Sequence, residues 1–537
     1  MTTAAPATRP ALSHQQILLL MGGLMTGMLL AALDQTIVGT ALPTIVGKLG
    51  GINHYSWVVT AYLLASTAST PLYGKVSDLY GRRPLLMFAI GTFLVGSLLA
   101  GLSQNMTELI AFRAIQGLGA GGLMTLAFTI VSDVVAPRDR PRYQGIFGAV
   151  FGLSSVAGPL VGGYFAQHDW RWIFYLNVPL GIVAIFVCYA VLRLVPHTRR
   201  DHKVDWSGAG LLVLAVICLL VALSFGGTTG WAWGSTRIIV LLAGFAVFAA
   251  VFLAVERRAM EPILPLRLFR RPTFAIANAA TFILGFSMFG AIIYVPLYLQ
   301  IVKGATPTAS GLLMLPMMAG VIITSIVAGR AISRAGRYKW STVAGTAVMA
   351  AGLLLFTLLG AHTPLWQAFS YMLVIGIGLG LAMQPLILAV QNALDLRDMG
   401  AGTATATFFR SLGGSVGVAA LGAVLSNRLA SVLSPLIAGA LRQLPPDVAA
   451  RYAGQTGSLS INDPASIRAL PGPLRSAVEQ GFVQALHPIF LAAGLVSLIA
   501  VALCLALPNR ELRGAGPTGQ GSLEPGRQEA VNEALIG

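Results

Sequence analysis

Three charged residues interrupt long apolar runs of this sequence: Asp34, Arg113 and Arg410. A charge in hydrocarbon costs on the order of several kcal/mol unless it is paired or hydrated, so each needs a reason. Asp34 lies nine residues before Pro43, which ends its run, or roughly 13 Å below that boundary at the helical rise. Arg113 lies six or seven residues into its own run, roughly 10 Å down from the same side. Opposite charges at one depth can form a proton-exchange site. A carboxylate set between desolvation and a neighbouring guanidinium can load and release a proton. A structural ion pair and direct substrate contact are the other readings. Glu108 and Asp133 lie at the two ends of the run that holds Arg113.

The elements that must position these charges are membrane helices. Of 537 residues 10% are charged and 56% hydrophobic, and the mean hydropathy is +0.77. A soluble domain is nearer a quarter charged. Fourteen apolar spans of about 20 residues follow one another, each long enough to cross a bilayer. The expected fold class is therefore an all-α polytopic membrane protein. Twenty Lys and Arg fall in the even-numbered connections against four in the short odd ones, which places the even loops and both termini in the cytoplasm.

The same distribution disposes of nucleic acid as a partner for the net charge of +16. Cys188, Cys218 and Cys504 all lie in apolar runs, so no disulfide framework is expected. The polar start lacks a small-residue cleavage site, so the first run reads as a retained helix. No nucleophile-base set, metal cluster or nucleotide-binding glycine loop appears, so neither enzyme activity nor a cofactor or metal site is expected.

Organisation follows from the connections. Residues 1–15 form a cytoplasmic segment, 16–195 a six-helix bundle, 205–256 an inserted helix pair and 273–507 a second six-helix bundle. The tail, 508–537, is rich in Gly, Pro and Glu and reads as disordered. One connection is long: 427–483 on the outer face, where Leu474, Val478 and Phe482 predict an amphipathic helix leading into the last span. This stretch reads as a surface loop or as a flap over an outward-facing cavity.

Four further patterns carry information. The stretch Gly74-Lys-Val-Ser-Asp78-Leu-Tyr-Gly81-Arg82-Arg83 joins spans 2 and 3 and combines a basic turn with an acid and two glycines. Gly329 to Arg337 echoes it at the same spacing, with Ser333 in place of the acid, which marks an internal repeat. Such repeats place substrate sites between halves. In span 4, Gln116, Gly117 and Gly121 share a face with Arg113, and the glycines allow another helix close approach. In span 5, Gly148, Gly152, Ser155, Pro159 and Gly162 form a stripe free of bulky side chains, with a kink expected at Gly158-Pro159 beside Gly163. Gln116, Gln300, Gln384, Met288, Met314 and Arg410 are candidate cavity-lining residues, methionine offering adaptable apolar surface.

Together these motifs resemble the major facilitator superfamily, in particular its fourteen-helix drug/proton antiporter branch. Gly74 to Arg83 is similar to the loop 2–3 signature. Arg113-Ala-Ile-Gln-Gly-Leu-Gly is similar to the span 4 motif, and the pattern around Gly158-Pro159 to the antiporter motif. Leu33-Asp34-Gln-Thr-Ile-Val-Gly39-Thr-Ala-Leu-Pro43 is similar to the span 1 signature, with Gly39 where the family has Asn. Trp170-Arg-Trp-Ile-Phe-Tyr-Leu-Asn177-Val-Pro179, Leu266-Arg-Leu-Phe and Arg410-Ser-Leu-Gly-Gly-Ser-Val-Gly417 match as well.

The resemblance implies a multi-pass exporter of the cell membrane, functional as a monomer and working by alternating access. An amphipathic or weakly cationic small molecule would leave against an entering proton, with the proton gradient as energy source. Asp34 and Arg113 would couple the proton, and Gly74, Asp78, Gly81, Arg82 and Arg83 would form a conformational latch. The competing readings are a dedicated exporter of a natural product, siderophore or lipid, a proton-coupled uptake symporter, and a non-transporting membrane sensor.

Overall fold

A bilayer offers the backbone no hydrogen-bond partners, so each apolar run must satisfy its own peptide groups as a helix. The computed structural model describes residues 14–49, 55–135, 139–192, 205–226, 231–259, 262–395, 398–453 and 467–512. The first half comprises α1 (His14–Leu49), α2 (Tyr55–Tyr80), α3 (Arg82–Leu102), α4 (Met106–Val134) and α5 (Arg140–Gln167). A broken span closes it: α6 (Trp172–Tyr175) and α7 (Asn177–Val191). The inserted pair is α8 (Trp206–Phe225) and α9 (Thr236–Glu256). The second half runs through α10 (Pro272–Leu297), α11 (Pro307–Leu313), α12 (Leu315–Ala335), α13 (Lys339–Phe356) and α14 (Leu365–Asn392). It ends with α15 (Met399–Leu441), the short α16 (Pro446–Ala453) and α17 (Gly472–Ala506).

Among the described residues eleven helices are long and apolar enough to cross a membrane, which makes this an all-α multi-pass membrane protein. Helices α2 and α5 fall short of that apolarity because Ser, Thr and Gly recur along them. Both lie where the halves meet, α2 against α15 and α5 against α12. Small residues suit that position, since helices in lipid associate through close packing instead of hydrophobic drive.

Each half has its own buried core. One cluster of the first half includes Phe93, Phe128 and Phe147, and that of the second includes Phe274, Phe356 and Phe490. The inserted pair is asymmetric. On α8, Leu212, Val216 and Leu220 are buried among Leu64 and Leu72 of α2 and Phe408 and Phe409 of α15. Helix α8 thus covers the junction of the halves. By contrast α9 leaves Ile239, Val240, Val247 and Val251 exposed to the surroundings, a lipid-facing surface.

Two expectations need correction. The described residues of the stretch 427–483 are mainly helical: α15 continues to Leu441, α16 follows at Pro446–Ala453 and α17 begins at Gly472, while 454–466 lie outside the described residues. The predicted amphipathic turn is present, with Leu474, Val478 and Phe482 only 1%, 1% and 3% exposed. These residues share a core with Leu433, Ile437 and Ala440 of the α15 extension, so the two extensions bury each other's apolar faces. The tail is also ordered further than expected. Leu512 is buried and donates its backbone N–H to the Gly336 carbonyl at 2.9 Å. Residues 513–537 lie outside the described residues.

Candidate functional site

The charge centre is built by close helix approach. On α4, an added Cβ at Gly117 would strike the Tyr62 carbonyl of α2, and one at Gly121 the Ser66 carbonyl. On the other side, Gly96 of α3 meets the Gln116 backbone and Gly119 meets Phe93. Glycines on both faces therefore wedge α4 between α2 and α3 and bring Arg113 against α1. Helix α4 itself starts at an Asn105 cap, whose side chain accepts from the Glu108 N–H at 2.9 Å.

At this centre Arg113 Nη1 donates to Asp34 Oδ2 at 2.5 Å and to Gln116 Oε1 at 2.6 Å. Gln116 Nε2 donates to Asp34 Oδ1 at 2.8 Å, and Asn177 Nδ2 donates to the same oxygen at 3.0 Å. Asn177 Nδ2 also reaches Ser97 Oγ at 2.9 Å. Asp34, Gln116, Asn177 and Ser97 are fully buried and Arg113 is 1% exposed. The guanidinium stacks 4.1 Å over the Tyr62 ring. Three donors converge on Asp34, an arrangement that satisfies a carboxylate, whereas an acid would need an acceptor for its own proton.

Sequence reasoning placed Asp34 and Arg113 at one depth, and here they touch. Gln116, proposed for the cavity wall, instead bonds both charges. Asn177 was noted only within a motif and not assigned to this centre. Its signal was an amide in an otherwise apolar run, at the break between α6 and α7.

Beside this centre a cavity opens between the halves. Ala31, Gln35 and Tyr62 line it from the first half, and Met288, Phe289 and Arg410 from the second. Tyr62 is shared, one wall of the cavity and the face under Arg113. Of the other candidates, Gln300 lies in the π-turn after α10 and donates to Ser310 Oγ at 2.9 Å. Met314 is buried in the second-half core. Gln384 is buried on α14, and neither atom of its amide has a partner among the described residues.

The loop Gly74–Arg83 and its repeat both turn on a glycine of positive φ, but ψ differs: 155° at Gly81 and 6°, the left-handed helical region, at Gly336. Gly81 has φ 100° and Gly336 φ 69°, values that glycine adopts without strain. Their N–H groups donate to the Ser77 and Ile332 carbonyls at 3.0 and 2.8 Å. Arg82 Nε donates to Asp133 Oδ2 at 2.8 Å and its Nη1 to Ser77 Oγ at 2.6 Å. Arg83 lies 4.1 Å over the Tyr189 ring. An added Cβ at Gly74 would collide with Ala404, so α2 and the first turns of α15 are in direct contact across the halves. The side chain of Asp78 lies outside the described residues.

In α5 the glycines face two ways. Gly152 meets Ile322 of α12 and Gly163 meets Thr308 of α11, both across the junction. Gly158 and Gly162 instead meet Thr36 and Ile37 of α1 in their own half. Thr36 Oγ1 bridges the same two helices by donating to the Ser154 carbonyl at 2.9 Å. The α5 glycines are thus divided between the junction and their own half: Gly152 and Gly163 are about three turns apart on one face while Gly158 and Gly162 occupy another. Helix α5 is assigned as one continuous element through Gly158-Pro159; nothing is described of Gly148 or of the Pro159 side chain.

Comparison with known proteins agrees with this architecture. The Major Facilitator Superfamily profile matches residues 24–418. The multidrug transporter protein MdtP of Bacillus subtilis is 40% identical over 465 residues, covering 86% of this chain and 85% of MdtP. Multidrug resistance protein 3 of the same organism is 37% identical over 480 residues, covering 88% of this chain and 93% of its own. Among solved structures, the proton:xylose symporter XylE superposes with a TM-score of 0.61 at 12% identity, over 93% of this chain and 97% of that one. A two-half helical bundle shared with a solved transporter, in a sequence matched along most of its length, makes this chain a member of the Major Facilitator Superfamily and a membrane transporter.

Proposed function

We propose that the chain is a proton-coupled exporter of amphipathic small molecules, working by alternating access as a monomer. It would cross the cell membrane fourteen times, as two six-helix bundles and an inserted pair, with both termini cytoplasmic. The observation that carries this reading is the buried Asp34 carboxylate, held by three donors and separated from the cavity by the ring of Tyr62. The multidrug names of the relatives and the α5 glycines support the direction of transport.

The coupling follows from charge. Asp34 and Arg113 together are neutral. A proton entering from outside neutralises Asp34 and leaves Arg113 as an uncompensated buried cation. Breaking a buried pair costs about 3–5 kcal/mol, enough to favour a rearranged packing of α1, α2 and α4. Tyr62 passes that rearrangement to the cavity wall. Cargo binding and proton loading thereby bias the same helices, and the proton gradient supplies the energy without a cofactor. On the cytoplasmic side, Gly74 against α15 and Arg82 against Asp133 act as the latch, to which Asp78 belongs by its place in the loop.

The test is efflux from proteoliposomes driven by an imposed pH gradient. Asp34→Asn is expected to abolish gradient-driven transport while leaving downhill exchange. Full gradient-driven efflux in that variant would remove Asp34 as the carrier.

A further inference from the structure

The second half holds a charge that the coupling scheme does not use. Arg410 stands on α15 at the cavity wall and is 5% exposed. Its backbone is pinned: an added Cβ at Gly285 of α10 would strike the Arg410 carbonyl, and one at Gly413 the Phe282 carbonyl. The residue cannot withdraw from the cavity by a shift of its helix. Its side chain makes no ion pair or hydrogen bond among the described residues, and Nη1 is buried without a partner. Among the described residues its charge meets the Phe128 ring of the opposite half, 5.6 Å away. A cation-π contact of this kind is too weak to offset a buried, unpaired cation.

No carboxylate lines the cavity among the described residues. Asp34 is the carboxylate of the opposite half, and its oxygens are taken by Arg113, Gln116 and Asn177. The other polar groups of the wall are neutral, among them the Gln35 amide and the hydroxyls of Thr67, Ser411 and Ser415, beside the apolar Met288 and Phe289. The Thr67 hydroxyl also has no partner among the described residues. This is one fixed positive fork, neutral hydrogen-bonding groups and adaptable apolar surface. The planar guanidinium matches a carboxylate in a two-bond fork. A cationic cargo would meet repulsion from Arg410 and no acceptor of opposite charge.

We propose that the central cavity binds the head group of an amphipathic carboxylic acid, with Arg410 as its counter-ion. This narrows the cargo of the exporter reading and, for transport, rests on it. An organic anion leaving and a proton entering both carry positive charge inward, so the membrane potential drives both. Binding itself does not depend on the direction or the coupling.

The experiment is equilibrium binding to the purified full chain in nanodiscs of zwitterionic lipid at fixed pH. The probes are pyrenebutyrate and pyrenebutyltrimethylammonium, which share one apolar body. Wild-type protein is expected to bind the carboxylate at least about tenfold more tightly, the scale of a charged hydrogen bond. Arg410→Gln should lose that preference, and Arg410→Lys should keep part of it, since the charge stays and the fork goes. Equal or tighter binding of the ammonium probe by wild type, or no saturable binding of pyrenebutyrate, would overturn the proposal without any variant. Unchanged preference in a folded Arg410→Gln would overturn the role of Arg410. Asp34→Asn is a separate arm: loss of gradient-driven efflux with pyrenebutyrate binding retained supports both readings. Retained efflux removes only the proton carrier.

Discussion

Among the buried charges, the Asp34–Arg113 pair of the first half lies beside the cavity and Arg410 of the second half lines it, and the two are treated in opposite ways. In the first half the charges cancel and every oxygen of Asp34 has a donor. In the second half a cation at the same cavity is left with an aromatic ring. The repeat kept a glycine turn, not its electrostatics. The neutral centre is closed, so it can respond only to something that changes its charge, and a proton does that. The unpaired centre is open to a ligand that brings the missing charge. The difference separates energy coupling from cargo recognition by half.

Removing each arginine is the most direct way to break this comparison. Arg113→Met strands Asp34 in the core, and we expect a loss of about 3–5 kcal/mol. Arg410→Met removes a charge that nothing compensates and should leave stability unchanged or raised. Thermal unfolding in detergent measures both; equal destabilisation would erase the distinction between the centres.

Asn177→Ala is the next step down. It deletes the donor to Asp34 and to Ser97, and the cost should be about 1–3 kcal/mol with gradient-driven transport weakened. Unfolding midpoints and efflux rates read these two effects separately, and a variant with neither would take Asn177 out of the centre.

The loops sharpen the comparison at the smallest scale. Arg82 and Asp133 are 14% and 24% exposed, whereas Arg337 and its partner Glu511 are 54% and 63% exposed. Arg82→Gln should cost roughly 1 kcal/mol and Arg337→Gln close to nothing, because solvent screens the exposed pair. A larger effect at Arg337 would mean that the tail, rather than α4, carries the structural weight.

Much of the fold was legible in one dimension. Apolar run length identified membrane helices, and the spacing of Gly81 and Gly336 identified a repeat whose two glycines both take positive φ, although their ψ angles differ. Asp34 and Arg113 were legible because depth along a helix is simple arithmetic. Asn177 was not, since the residue lies 143 positions from Asp34 and reaches it only through the turn between α6 and α7. Gln116 was assigned to the wrong surface for a related reason. A shared helix face with Arg113 says that two residues are neighbours, not whether that face meets a cavity or another charge. The long connection misled because helices that leave the membrane look like loops by hydropathy, although α15 and α17 bury each other's extensions.

By itself the sequence determined that this is a membrane-spanning helical transporter chain, where its intramembrane charges lie in depth, and that its halves share a loop. Those properties depend on composition and axial spacing, which survive without coordinates. Only the tertiary structure decided which charge is neutralised and which stands open. Hydrogen bonding is settled over a few tenths of an ångström and by the rotation of each helix about its axis. The glycines of α4 and α10 set those rotations by contact, and so they decide that Asp34 has partners and that Arg410 does not.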